Sequence, residues 1–118
     1  MLDRPTKAPS SIHMDLAKEL VRHPLRTFIQ RATGDSMEDA GIFDGDLLVV
    51  DRYLAPLHGD IVIARVDGEF TCKRYSCSDG LFALQAENPA YPSIHLGAGQ
   101  DIEIWGVVTN SVRRFRQT

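Results

Sequence analysis

The sequence has little cysteine, no long apolar run and no excess of basic charge. Each shortage removes a class of function. Two cysteines, Cys72 and Cys77, are too few and too close to staple a disulfide scaffold, and they are not spaced Cys-x-x-Cys. Free thiols in a reducing cytosol fit them better. The first residues, Met1-Leu2-Asp3-Arg4-Pro5-Thr6-Lys7, contain no apolar segment, so neither a signal peptide nor a membrane anchor is expected. Basic residues number 13 against 16 acidic, a net charge of −3, which argues against a freestanding, sequence-specific DNA binder. His13, His23, His58 and His95 share no metal-ligand spacing with each other or with the cysteines, so no metal or cofactor is expected.

What is present is a chain of 118 residues, 43% hydrophobic and 25% charged, which suits one soluble domain with a real core. Pro5, Pro9, Ser10 and Ser11 mark residues 1–13 as an extended, mobile arm, with the folded domain occupying 14–118. Leu16, Leu20 and Val21 recur at helical spacing between Asp15 and His23, with Pro24 beyond, and predict one short amphipathic helix. The rest reads as strands: Arg26 to Ala32, Leu47 to Asp51, Ile61 to Val66, Glu69 to Tyr75, Leu81 to Gln85, and Ile102 to Val108 with an extension towards Phe115. Asp67-Gly68 and Asp79-Gly80 are two-residue hairpin signals. The expected fold is mainly β, a curved antiparallel sheet with one helix at the front.

One stretch organises the chemistry. Gly34-Asp35-Ser36-Met37 reads as a sharp turn opening a short helix, which would present a serine hydroxyl beside unpaired backbone N–H groups able to hold an oxyanion. Such a serine needs a base. No histidine sits in a triad motif, so the candidate is Lys73, on the inward face of the Glu69 to Tyr75 strand. Burial disfavours its ammonium form and moves it towards the range useful for proton abstraction. Taken alone, Gly-Asp-Ser-Met is a weak signal, read more readily as a serine capping a helix than as a nucleophile. Asp44, Asp46 and Asp60 adjoin glycines and read as turn formers. Trp105 reads as core or interface filling, and Arg113, Arg114 and Arg116 as a solvated chain end. Cys72 neighbours Lys73, so on a strand it faces away from whatever Lys73 faces.

Several motifs then fall in a recognisable order: Gly34-Asp35-Ser36-Met37, Gly41-Ile42, Asp44 to Asp51, His58 to Ala64, Val66 to Lys73, Asn88-Pro89-Ala90-Tyr91-Pro92 and Gly106-Val107-Val108. Over residues 15 to 116 this order closely resembles the LexA/UmuD family of self-cleaving serine peptidases of the bacterial SOS response. The resemblance implies that family's C-terminal β-rich peptidase fold, Ser36 as nucleophile and Lys73 as general base. It also implies cleavage at an Ala-Gly or Cys-Gly bond in an N-terminal segment, promoted by the RecA–DNA filament. For the UmuD branch it implies a cytoplasmic homodimer that joins a UmuC-like error-prone polymerase in translesion synthesis.

No Ala-Gly or Cys-Gly precedes Ser36; Ala40-Gly41 and Ala98-Gly99 both follow it. The expectation is therefore a UmuD′-like processed form with its dyad intact. An alternative is a peptidase cleaving another chain in trans without a polymerase role. A membrane-bound signal peptidase would need an apolar anchor, and a LexA-like repressor a helix-turn-helix domain; neither is found in the sequence.

Overall fold

The computed structural model describes residues 14–95 and 99–117. The expected arm, residues 1–13, lies outside them. Among the described residues one antiparallel sheet dominates, built from β1 (Thr27–Arg31), β2 (Leu47–Asp51), β3 (Ile61–Val66), β4 (Glu69–Ser78), β5 (Leu81–Gln85), β6 (Ile94–His95) and β7 (Ile102–Val112). Their order across the sheet is β1-β2-β7-β3-β4-β5-β6. Mainly β architecture, with one short α-helix in front, is what the strand periodicity and turn residues require.

The two Asp-Gly pairs form the tight hairpins expected of them. Asp67 and Gly68 take φ of 48° and 87°, and Asp79 and Gly80 take 53° and 75°. Positive φ at both central positions matches the right-handed twist of flanking strands, and aspartate tolerates the first position where most residues do not. β3 therefore pairs with β4 from Val66↔Glu69 to Ile61↔Arg74, and β4 with β5 from Ser78↔Leu81 to Arg74↔Gln85.

β7 lies between β2 and β3 and carries two irregularities. Ile63 pairs with Gly106 but Ala64 with Ile104, leaving Trp105 as an extra residue; Val49 pairs with Asn110 but Val50 with Val108, leaving Thr109 extra. Each extra residue bends the strand and increases its twist. Side chains alternate across the sheet into two cores. One holds Ala32, Met37, Ile42, Leu48, Val50 and Ile63; the other holds Val62, Ala64, Tyr75, Leu84 and Val107.

Three sequence expectations need correction. The helix α1 spans only Leu16–Leu20, because Val21 is already extended at φ −111° and ψ 103°. Asp15 caps it through Ala17 N–H and Lys18 N–H, but it buries no residue, so its apolar spacing does not mark a core-facing stripe. The β6 bridge at Ile94–His95 was not anticipated, since two residues between prolines and glycines carry no periodic signal. Arg113 is not a free chain end: its guanidinium donates to both oxygens of buried Asp46, at 2.8 Å each, and to Gly41 O. Asp46 thereby joins a turn role, accepting Phe43 N–H, to an ion pair that locks the C-terminal end of β7 onto the 32–46 loop.

Two buried carboxylates give the fold an acid limit. The Arg113 hydrogen bonds hold the Asp46 carboxyl below its ordinary range, outweighing the opposing effect of burial. Burial pushes Asp51 up, but hydrogen bonds from His23 Nδ1 and Tyr53 N–H together bring it below that range too. A carboxyl whose folded pKa is depressed stabilises the fold above the unfolded value, about 3.9, and loses that contribution as pH falls through the folded value. Thermal unfolding followed from pH 6 downwards should show the midpoint falling below about pH 4. Asp46→Asn and Asp51→Asn should each flatten that limb; an unchanged slope in both would dissociate these pairs from acid stability.

Candidate active site

The 32–46 loop between β1 and β2 is closed by its own backbone and side chains. Ala32 N–H donates to Asp46 O, Gly45 N–H to Ala32 O, and Gly34 N–H to Asp44 Oδ1. Gly34 turns the chain at φ 80°, and Asp35 O accepts Glu38 N–H, leaving Ser36 near the crest of the turn. The helix expected to open there is a single 3-10 turn, Glu38–Ala40, so Ser36 stands before Met37 rather than inside a helical N-terminus. Met37 is buried in the first core and anchors the crest from below. No acceptor among the described residues takes the backbone N–H of Ser36 or Met37.

Lys73 comes from β4, where it pairs across from Val62 and therefore shares that residue's face of the sheet. It is one of few charged residues in the interior, at 7% exposure. Its Nζ lies 3.2 Å from Ser36 Oγ, a hydrogen bond that spans 37 positions of sequence. Burial lowers the Lys73 pKa from that of a free lysine; the neighbouring Cys72 opposes this. Burial also pushes the Cys72 thiol up to about 11. The thiol thus stays neutral at ordinary pH, and its opposition to the lysine shift is felt only at alkaline pH where it ionises.

A third segment clamps the pair. Between β5 and β6, Glu87 N–H donates to Ser36 O, while Glu87 O accepts Asp39 N–H. Asn88 Nδ2 donates to Asp35 O at 2.9 Å, the Tyr91 hydroxyl donates to Asp35 Oδ1, and the Tyr91 ring centroid lies 5.6 Å from Lys73 Nζ. Arg74, next to Lys73, pairs with the Glu87 carboxylate and donates to Gly59 O. Chemistry-based reading of the sequence does not find this 87–91 strap, since more than fifty residues separate it from Ser36.

Beside Ser36 opens a cleft of about 320 Å³, whose walls include Thr33, Met37, Ile63, Phe70 and Cys72. Alternation places Cys72 with Ile63 and the first core, opposite Lys73, as expected. Cys72 nonetheless lines the cleft beside Ser36, so facing away from Lys73 does not put it outside the site. Lys73 approaches Ser36 from one face of the sheet while the cleft approaches it from the other. Among the described residues no group of three His, Cys, Asp or Glu side chains is placed to hold a metal ion. No helix there is long and apolar enough to cross a membrane.

Comparison with known proteins identifies the family. Residues 4–109 match the Peptidase S24-like family. This chain belongs to that family. The S24 assignment makes it a serine peptidase of the LexA/UmuD type. Protein SamA of Salmonella typhimurium is 45% identical over 105 residues, covering 89% of this chain and 72% of SamA. Protein MucA of Escherichia coli is 40% identical over 109 residues, 92% of this chain and 74% of MucA. LexA repressor 2 of Pseudomonas putida is 42% identical over 87 residues, 74% of this chain but 43% of that repressor. The matched region thus lies within a longer repressor, whose remaining length has no counterpart in the match.

Proposed function

We propose that Ser36 and Lys73 form the catalytic dyad of this S24 peptidase, acting on a peptide bond of the Ala-Gly or Cys-Gly kind. The observation that carries this reading is the 3.2 Å contact between Ser36 Oγ and a lysine nitrogen with 7% residue exposure. In the neutral form Lys73 Nζ accepts the Ser36 proton as Oγ bonds to the scissile carbonyl carbon. The carbonyl π electrons move onto oxygen, within reach of the Ser36 and Met37 N–H groups. The oxyanion collapses, the C–N bond breaks, and the lysine ammonium returns its proton to the leaving amine. Water then attacks the ester with the same lysine as base, releasing the acid and regenerating the serine. No metal or cofactor enters this sequence of steps.

The test is cleavage in trans of an inactive, longer relative carrying the uncut segment, followed by mass between pH 7 and 10. Activity should rise with pH as Lys73 loses its proton, and do so below the range of a free lysine because burial favours the neutral amine. A rate independent of pH across this window would exclude a lysine base.

We further propose that the biological setting is cytoplasmic SOS mutagenesis, in which the chain works as a UmuD′-like homodimer. Its partners are a UmuC-like error-prone polymerase, and the RecA–DNA filament that promotes cleavage in the family. The UmuD-like motif order and the similarity to SamA and MucA support this reading. Exposed Phe28 and Phe70, packed on Trp105, offer an apolar face to a second protein. Co-purification with an error-prone polymerase is the discriminating measurement. If no such polymerase binds while trans cleavage persists, the chain is a free-acting peptidase instead.

A further inference from the structure

A carboxylate one residue from the nucleophile is a hazard for a lysine base, because an ion pair with Asp35 would hold Lys73 as the ammonium. Asp35 is nonetheless engaged elsewhere. Its Oδ1 accepts the Tyr91 hydroxyl and its carbonyl accepts Asn88 Nδ2, both from the 87–91 strap. Tyr91 also presents its ring to Lys73 Nζ at 5.6 Å. One side chain thus touches the hazardous carboxylate with its polar end and faces the lysine with its apolar body.

We propose that Tyr91 is a positioning residue: its phenol holds the Asp35 carboxylate on the strap and away from Lys73, leaving Ser36 Oγ as the lysine's hydrogen-bond partner. The inference rests on the reading of Ser36 and Lys73 as a dyad and adds to it a device that keeps a carboxylate from pairing with the base. The charged and titratable groups around Lys73 are consistent with it. On β4 itself stand Cys72, Arg74 and Tyr75. From the serine turn come the Ser36 hydroxyl and Asp35, with Glu38 close to the phenol, and from the strap come Tyr91 and Glu87, the latter occupied by Arg74. β3 presents uncharged Val62. Of the nearby carboxylates, Asp35 is the one fixed by a partner that also faces the lysine. The bond in turn raises the Tyr91 pKa, so the phenol keeps the proton that it donates.

The experiment is a ¹³C NMR titration of the Lys73 side chain in the folded protein, which reads the lysine directly and needs no cleavage. Tyr91→Phe retains the ring and, at a position 41% exposed, should fold. Freed Asp35 then reaches Lys73, and its midpoint should rise by about one pH unit, roughly a tenfold smaller neutral fraction near pH 7. The double variant Y91F/D35N should return the midpoint to that of the unaltered protein, which a merely structural role for Tyr91 would not do. An unmoved midpoint in Y91F, or a raised one that persists in the double variant, overturns the proposal. Labelling of Ser36 by a fluorophosphonate, with and without Lys73, is run alongside. Failure to label the unaltered protein would defeat the dyad reading while the titration still decides the role of Tyr91.

Discussion

Ser36→Ala and Lys73→Met are each expected to reduce peptide cleavage by at least about 10²-fold, with both proteins still folded. General-base assistance alone is worth ~10²–10⁴-fold, and loss of the serine removes the whole covalent route, so the serine variant should be the lower of the two. Methionine is preferable to alanine at position 73 because Lys73 is buried on the sheet, and an unbranched apolar side chain keeps its stem packing. Loss of activity in that variant then reports the missing amine, not a cavity. The measurement is the initial rate of trans cleavage at pH 9, with thermal unfolding as the control for folding. Full activity in Lys73→Met would remove the lysine from the chemistry. A Ser36→Ala protein that still cleaves would place the nucleophile elsewhere.

Gly106→Ala is expected to destabilise the fold by roughly 1–3 kcal/mol, a large effect for one methyl group. A Cβ at Gly106 would stand 2.6 Å from Val50 Cγ1, 3.3 Å from Arg52 Cγ and 3.4 Å from Asp51 O. Val50 has no exposed surface and a stiff branched side chain, so it has nowhere to retreat. The glycine is required here by close packing, since its φ lies outside the left-handed region. Unfolding should shift down by ~4–8 °C per kcal/mol, and Val50→Ala in the same chain should recover part of the loss because it empties the contested space. An unchanged midpoint in Gly106→Ala would mean that β2 and β7 separate easily at this point.

Much of this architecture was legible because its signals are local. Leu47–Asp51, Ile61–Val66 and Leu81–Gln85 form strands with the expected bounds, each an apolar run fenced by Asp or Gly. The hairpins follow from Asp-Gly chemistry over four residues. What stayed hidden depends on distant partners. Arg113 reads as a chain end until the sheet brings it to Asp46, 67 positions away. Cys72 reads as averted from the site until the cleft is seen to open on its side of β4. Tyr91 has no chemical signature of its own; its role follows from touching Asp35 and facing Lys73 at once. The serine and lysine were identifiable as candidates from residue type and setting, but their separation of 3.2 Å is a product of the whole sheet.

The two extra residues of β7 bear on how this chain can tolerate change in length. β2 and the serine turn lie on one flank of β7; β3, and through it the lysine strand, lie on the other. Trp105 is the surplus residue against β3, and Thr109 the surplus residue against β2. Removing either would slide one flank by a residue and exchange inward for outward side chains along it. β7 therefore acts as a gauge block, whose residue count sets the distance between serine and lysine. The strand cannot gain or lose a residue without shifting one flank, and with it the serine turn or the lysine strand, against the other.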